Sequence, residues 1–345
     1  MNEMDIVQRY KKLNETYDKV LEYHLGIDAG FFTEYTYMLH AMLFCLQHKI
    51  QFKLYSDDAN FRSDKGWTDF FFSFCEEVHE SFHSKYNKHR LPSWGVILKN
   101  KDKKVGLWKM KCKMLNFLGN LYAWKSYKKR IYLNHHIKFN SNSHFYIPEL
   151  GIDGDYFSAF KVMVDITWRP NTETEYDVVK LIQGLNLPDN YVGCQIRGGD
   201  KIIETELLSP DLYIKVLDKT TSLKNIFVLT DDYQIFKRLQ MKSPKNNWYT
   251  LCEDGEGGYV NNVFSQQLGN GKRLQMIRFI ASMQILMQSS MFVGSITTAP
   301  SLFLLKLFFP NHCSIDCSTE DFEQTVCLRM DERCRIAQNY LSGQS

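Results

Sequence analysis

Tyr191-Val-Gly-Cys-Gln-Ile-Arg197-Gly-Gly-Asp200 reads as a short apolar strand that delivers an arginine into a glycine turn. Working outward from it, the pattern repeats. A helix over Pro210 to Leu217 precedes a strand at Ile226 to Leu229, and a helix over Tyr233 to Met241 precedes a strand at Trp248 to Leu251. A glycine-rich loop, EDGEGGYVNN, leads to a long helix from Lys272 to Gln288, a strand from Met291 to Gly294 and a helix from Pro300 to Leu307. Strands alternating with helices specify an α/β fold with a parallel, doubly wound sheet, whose ligands lie beyond the carboxyl ends of the strands. The loops after Ile196, Leu229 and Gly294 are therefore where chemistry is expected.

Upstream, GIDAGFFTEYTYMLHAMLFCLQHKIQFKLYSDD reads as a glycine turn, a helix from Thr33 to His48 and a strand through Ile50, Phe52 and Leu54, a second α/β unit. Residues 66–140 read as mainly helical and aromatic, with a polar loop over 134–142. The polar stretch Arg169-Pro-Asn-Thr-Glu-Thr precedes a helix over Glu175 to Leu185, which places a domain boundary between residues 1–172 and 173–345. At 345 residues the chain is long enough for two domains, and 44% apolar with 23% charged residues is globular composition. Nine cysteines without close paired spacing suggest reduced thiols rather than a zinc site or disulfide framework. The start, MNEMDIVQRYKK, carries no apolar signal segment, and the most apolar late run, Met291 to Pro310, is broken by Thr297, Thr298, Pro300 and Lys306. The expectation is a cytoplasmic protein.

On residue chemistry alone, Arg197 suits a bidentate grip on phosphate oxygens, and Gly198 and Gly199 permit close backbone approach to a ligand. Asp231 and Asp232 follow one strand at the same edge. Ser295-Ile-Thr297-Thr298-Ala-Pro300 follows another, where helix amides and the two threonine hydroxyls would form an anion site. Asp231, Asp232, Thr297 and Thr298 are equally suited to capping the helices that follow them. Asp153-Gly-Asp155 matches a metal-binding DxD triplet, but no long apolar strand precedes it and a turn is the simpler reading.

The blocks IRGGDK…SPDLYI, FVLTDD and MFVGSITTAPS, with the early GIDAGFFTEYTYMLHAML, resemble the α-1,6-fucosyltransferase group, including the nodulation fucosyltransferases of rhizobia, and the wider superfamily of protein O-fucosyltransferases. All four blocks stand in the family's order across residues 26–310. The resemblance implies a GT-B fold of two Rossmann-like domains facing a cleft, inverting transfer from GDP-fucose to a glycan in polysaccharide or glycoconjugate synthesis, and no metal or other cofactor. By position it implies that Arg197 grips the donor β-phosphate, that Thr297 or Thr298 stands near the same phosphate, and that Asp231 and Asp232 are the family's paired aspartates. Gly30 and Phe31, in the first block, join Gly198 and Gly199 among the donor-binding residues.

This chain departs from the family pattern in three places. Gln195-Ile-Arg197-Gly198 replaces His-Val-Arg-Arg, Met283 stands where an aspartate reads guanine, and Thr205 stands at the catalytic glutamate. Glu204 and Glu206 flank Thr205 and share one side of an extended segment, with Glu206 favoured as general base. These departures leave open a non-catalytic nucleotide- or glycan-binding protein. A nucleotide-binding oxidoreductase is a further alternative, but no strand is followed by G-x-G-x-x-G with an acid downstream.

Residues 81–140 hold 15 Lys and Arg against one acid, Asp102, while the rest of the chain holds 27 basic and 38 acidic residues. Within them, residues 107–130 put Leu107, Met114, Leu118 and Leu121 at helical spacing. Lys109, Lys113, Lys125, Lys128, Lys129 and Arg130 are interleaved with Trp108, Tyr122, Trp124 and Tyr127. An ordinary core helix with a solvated lysine face is one reading. The charge bias favours a helix lying in a membrane interface, where each basic residue near anionic lipid contributes roughly 1 kcal/mol. The expectation is peripheral attachment to the inner face of the membrane, with a lipid-linked oligosaccharide as acceptor. No nucleic-acid-binding motif accompanies the patch.

Overall fold

Parallel strands organise both halves of the chain. The computed structural model describes residues 5–26, 29–81, 83, 107, 110, 114, 117–118, 121, 130–132, 139, 142–198, 208–259, 263–264, 267, 269–326, 328 and 330–343. They fall into two compact units, Met1–Asn171 and Thr172–Ser345.

In the first unit, helix α1 (Ile6–Glu15) leads into strand β1 (Lys19–His24), which becomes the middle of a three-stranded parallel sheet between β2 (Ile50–Tyr55) and β3 (Arg130–Tyr132). Helix α2 (Phe31–Gln47) connects β1 to β2 and is buried almost throughout, so its apolar run, Tyr35 to Leu46, is core rather than one amphipathic face. A hairpin of β4 (Phe145–Ile147) and β5 (Ile152–Gly154) precedes helix α3 (Tyr156–Thr167). Asp153 lies in β5, and Asp155 caps α3 by accepting from the Ser158 amide at 2.8 Å, so the two aspartates of the DxD-like triplet have separate local roles.

The helical expectation for residues 66–140 holds at the described positions 107, 110, 114, 117, 118 and 121, fails at Arg130–Tyr132, which pair with β1 as strand β3, and fails over 66–80. There, only a single 3-10 turn forms, Trp67–Asp69. The reason is local. The Asp69 carboxylate accepts from the amides of Ser63, Asp64, Lys65 and Gly66 at 2.7 to 3.0 Å, winding the chain around one side chain. The neighbouring Trp67, Phe70, Phe71 and Phe74 are then buried as an aromatic plug rather than spaced along one helix face.

The second unit opens with helix α4 (Thr172–Gly184) and contains strands β6 (Val192–Ile196), β7 (Asn225–Thr230), β8 (Asn247–Tyr249), β9 (Met291–Gly294) and β10 (His312–Ser314). All are parallel, in the order β10-β9-β6-β7-β8. The first strand in sequence is therefore central, with later strands added first on one side and then on the other. Helices α5 (Pro210–Thr220), α6 (Tyr233–Lys242), α7 (Asn270–Gln288) and α8 (Ala299–Phe308) supply the crossovers, and α9 (Thr319–Thr325) and α10 (Met330–Ser342) follow. Val192, Cys194, Ile196, Ile226 and Val228 lose essentially all solvent contact, as expected for central strands of a parallel sheet covered on both faces. This is the α/β, doubly wound arrangement anticipated from the sequence. No helix among the described residues is long and apolar enough to cross a membrane.

Candidate functional site at the carboxyl edge of the second sheet

Strand order reverses between β6 and β9, and this switch point is where open parallel sheets leave a crevice for ligands. The segment after β6 begins with Arg197 and Gly198, and the segment after β9 runs from Ser295 to Thr298 into α8. Asp231 and Asp232 follow β7 on the other side of β6.

Asp231 ties two of these segments together. Its Oδ1 accepts from the Gly198 amide at 2.6 Å, and its Oδ2 accepts from the Tyr259 amide at 2.9 Å and lies 3.2 Å from Arg197 Nε. The Arg197 guanidinium carbon also stands 4.9 Å from the centre of the Tyr259 ring, within cation–π range. Arg197 is thus held on one edge and one face. A Cβ at Gly198 would come within 2.9 Å of Asp232 Cβ, so the glycine lets the β6 turn lie against the β7 loop. Asp232 caps α6, accepting from the Gln234 amide at 2.9 Å. The two adjacent aspartates therefore divide between positioning the arginine and capping a helix.

The β9–α8 loop is braced from behind by a residue the sequence reading did not single out. Asp316 is fully buried and accepts from the Ile296 amide and the Ser314 hydroxyl at 2.9 Å each, and from the Ser295 hydroxyl. Burial pushes its carboxyl above the ordinary carboxylate range, opposed by those hydrogen bonds. Arg333 donates to the Ile296 carbonyl at 2.6 Å from α10. Thr297 and Thr298, expected to present hydroxyls to an anion, are both buried. Thr298 Oγ1 donates to Gln195 Oε1 at 2.7 Å, and the Thr297 hydroxyl is 2.6 Å from that of Ser295. In this arrangement the backbone amides at the start of α8, rather than the threonine hydroxyls, are the donors suited to an anion. Gln195 fastens the end of β6 to the start of α8 through its contact with Thr298.

Met283, which the resemblance noted above sets against a guanine-reading aspartate, lies in α7 with no solvent exposure and belongs to the core. Gly199, Asp200, Glu204 and Glu206 lie outside the described residues. In the first unit, Gly30 precedes α2, and Phe31 is one ring of an aromatic cluster with Tyr35, Phe61, Phe71 and Trp168, at centroid separations of 5.0 to 6.1 Å. Glu34, one turn into α2, holds the chain after β1 by accepting from the Gly26 amide at 2.7 Å and from Asn60 at 3.0 Å.

No protein-family model and no curated protein matches the chain. Solved structures similar to it include fucosyltransferases. NodZ from Bradyrhizobium is 9% identical, with TM-score 0.48, over 83% of this chain and 91% of the other. An Arabidopsis thaliana FUT1 variant in complex with GDP is 11% identical, with TM-score 0.47, over 87% and 73%. POFUT1 in complex with GDP-fucose is 10% identical, with TM-score 0.45, over 86% and 97%.

Proposed function

We propose that this chain is a glycosyltransferase that moves a sugar, fucose favoured, from a nucleoside-diphosphate donor, GDP-fucose favoured, to a glycan acceptor in polysaccharide or glycoconjugate synthesis. The observation that supports it best is Arg197, fixed by Asp231 and Tyr259 at the switch point of a doubly wound sheet, beside the strand whose loop leads into α8. The four blocks of sequence in fucosyltransferase order support the choice of sugar and donor.

In this reading the leaving diphosphate gains charge as the sugar–oxygen bond breaks. A guanidinium and the amides of a helix N-terminus, oriented beforehand, stabilise that charge without reorganising. Glu206 or Glu204 removes the proton of the acceptor hydroxyl, which attacks the sugar carbon opposite the leaving group and inverts it. Neither step draws on a metal ion.

A panel of nucleotide sugars tests the reading. Release of nucleoside diphosphate from one donor, abolished in Arg197→Ala and in one of Glu204→Gln or Glu206→Gln, is the expected result. The buried Met283 and the hydrogen-bonded Gln195 favour one second reading, a binding protein without turnover. Saturable calorimetric binding of a nucleotide sugar with no product release would establish that instead, and hydride transfer to a nicotinamide would replace both.

A further inference from the structure

Residues 107, 110, 114, 117, 118 and 121 are helical, and all six are large and apolar. Leu107, Met110, Met114, Phe117, Leu118 and Leu121 keep 66, 64, 57, 67, 47 and 48% of their surface exposed. Projected at about 100° per residue, these six positions fall within an arc of roughly 100°, on one side of the projection. A contiguous exposed stripe of this kind marks an interaction surface, since apolar residues elsewhere on a soluble protein are scattered singly.

The charge around the stripe selects its occupant. The residues between the apolar positions include Lys109, Lys111 and Lys113, and the 60 residues 81–140 carry 15 basic side chains against one acid. These intervening lysines lie outside the described residues, and their contribution is read from the sequence. A second copy of the chain would bring equal positive charge against this stretch with one acid to meet it. Nucleic acid would pair with the cations but leave the apolar stripe in water. An anionic bilayer satisfies both, accepting the apolar side chains at the boundary between headgroups and acyl chains and the lysines at the phosphates. We propose that these six exposed apolar side chains form a docking surface for an anionic membrane. The proposal is independent of the sugar-transfer reading.

Flotation of the full chain with phosphatidylcholine vesicles, with and without phosphatidylglycerol, tests it. The expected result is recovery with the anionic vesicles at low salt and a loss of roughly tenfold or more at high salt or on neutral vesicles. The double variant Met114→Glu/Leu118→Glu is expected to lose at least about tenfold in vesicle binding while its circular dichroism, melting temperature and release of nucleoside diphosphate stay unchanged. Absence from the floated fraction at both salts overturns the proposal, as does binding that the double variant retains. A concentration-dependent dimer in sedimentation, broken by the same variant in a chain that ignores vesicles, would assign the stripe to a second copy.

Discussion

Arg197 Nε and Asp231 Oδ2 stand 3.2 Å apart, with the arginine side chain 22% and the aspartate side chain 18% exposed. The pair is dry enough to orient the guanidinium yet open enough for a ligand to approach it. Because the orientation also uses the Tyr259 ring, a lysine could supply charge but neither the planar fork nor the stacked face. Arg197→Lys is expected to lower donor turnover by roughly 10²-fold, the usual effect of removing one preorganised donor, with the melting temperature shifted by no more than a few degrees. Nucleoside-diphosphate release beside a thermal melt measures both, and unchanged turnover would remove Arg197 from the donor site.

Asp231 holds three groups from outside its own strand, the Gly198 amide, the Tyr259 amide and Arg197 Nε. Asp231→Ala leaves all three without that partner. The two amide hydrogen bonds to the carboxylate contribute about 1.5–3 kcal/mol each when well sheltered, and these are partly solvated and joined by the Arg197 ion pair, so a loss of about 2–4 kcal/mol in total is expected. Hydrogen exchange gives a local readout. The Gly198 and Tyr259 amides should exchange faster in Asp231→Ala, and unaltered protection at both would show that the carboxylate does not hold the loops.

Gly294 and Gly30 make a contrasting pair. A Cβ on Gly294 would come within 2.0 Å of Ser301 Oγ and 2.7 Å of the Phe292 ring, both fully buried, whereas a Cβ on Gly30, with φ −70°, meets nothing within 4 Å. Gly294→Ala is expected to cost about 2 kcal/mol or more by forcing α8 away from β9. Gly30→Ala should cost under about 1 kcal/mol, mainly through the poorer helix cap. Denaturant midpoints for the two variants check the difference, and equal midpoints would defeat it.

What could be read from the residues follows from how each element is stabilised. Strands β6, β7 and β9 were legible because both faces are buried, so their sequences are short apolar runs between turn signals. β1 was not, because Glu22 and His24 sit inside it, each almost fully buried, with His24 Nε2 2.8 Å from His83 Nδ1 and His83 Nε2 3.3 Å from Glu22 Oε2. Polar residues that find partners only across the fold erase the pattern that marks a strand. The same holds at the site. Arg197 and its glycine turn announce themselves locally, whereas the bracing by Asp316 and Arg333 depends on segments brought together by β10 and α10, for which nothing in the β9 loop gives a sign.

One contribution to the pH response of the second unit comes from His312 at the start of β10. The imidazole is 8% exposed and packs 4.1 Å from the Phe322 ring and 5.6 Å from the Phe309 ring, centre to centre. Burial lowers its pKa from 6.5 to about 4. In the unfolded chain the same ring takes up its proton near 6.5, so between 6.5 and about 4 the unfolded state binds more protons than the folded one. The stability it contributes is fully present above 6.5 and drains away as pH falls through that window, by at most about 3 kcal/mol. Asp316 works in the opposite sense, since its raised carboxyl gains stability on acidification. The wild-type curve alone therefore mixes the two. His312→Leu removes the imidazole's contribution and leaves those of the carboxyls, so the gap between wild-type and variant stability should change steadily from pH 7 to pH 4, with the wild type losing more. Urea unfolding at each pH measures it, and parallel curves would mean that the imidazole titrates alike in both states.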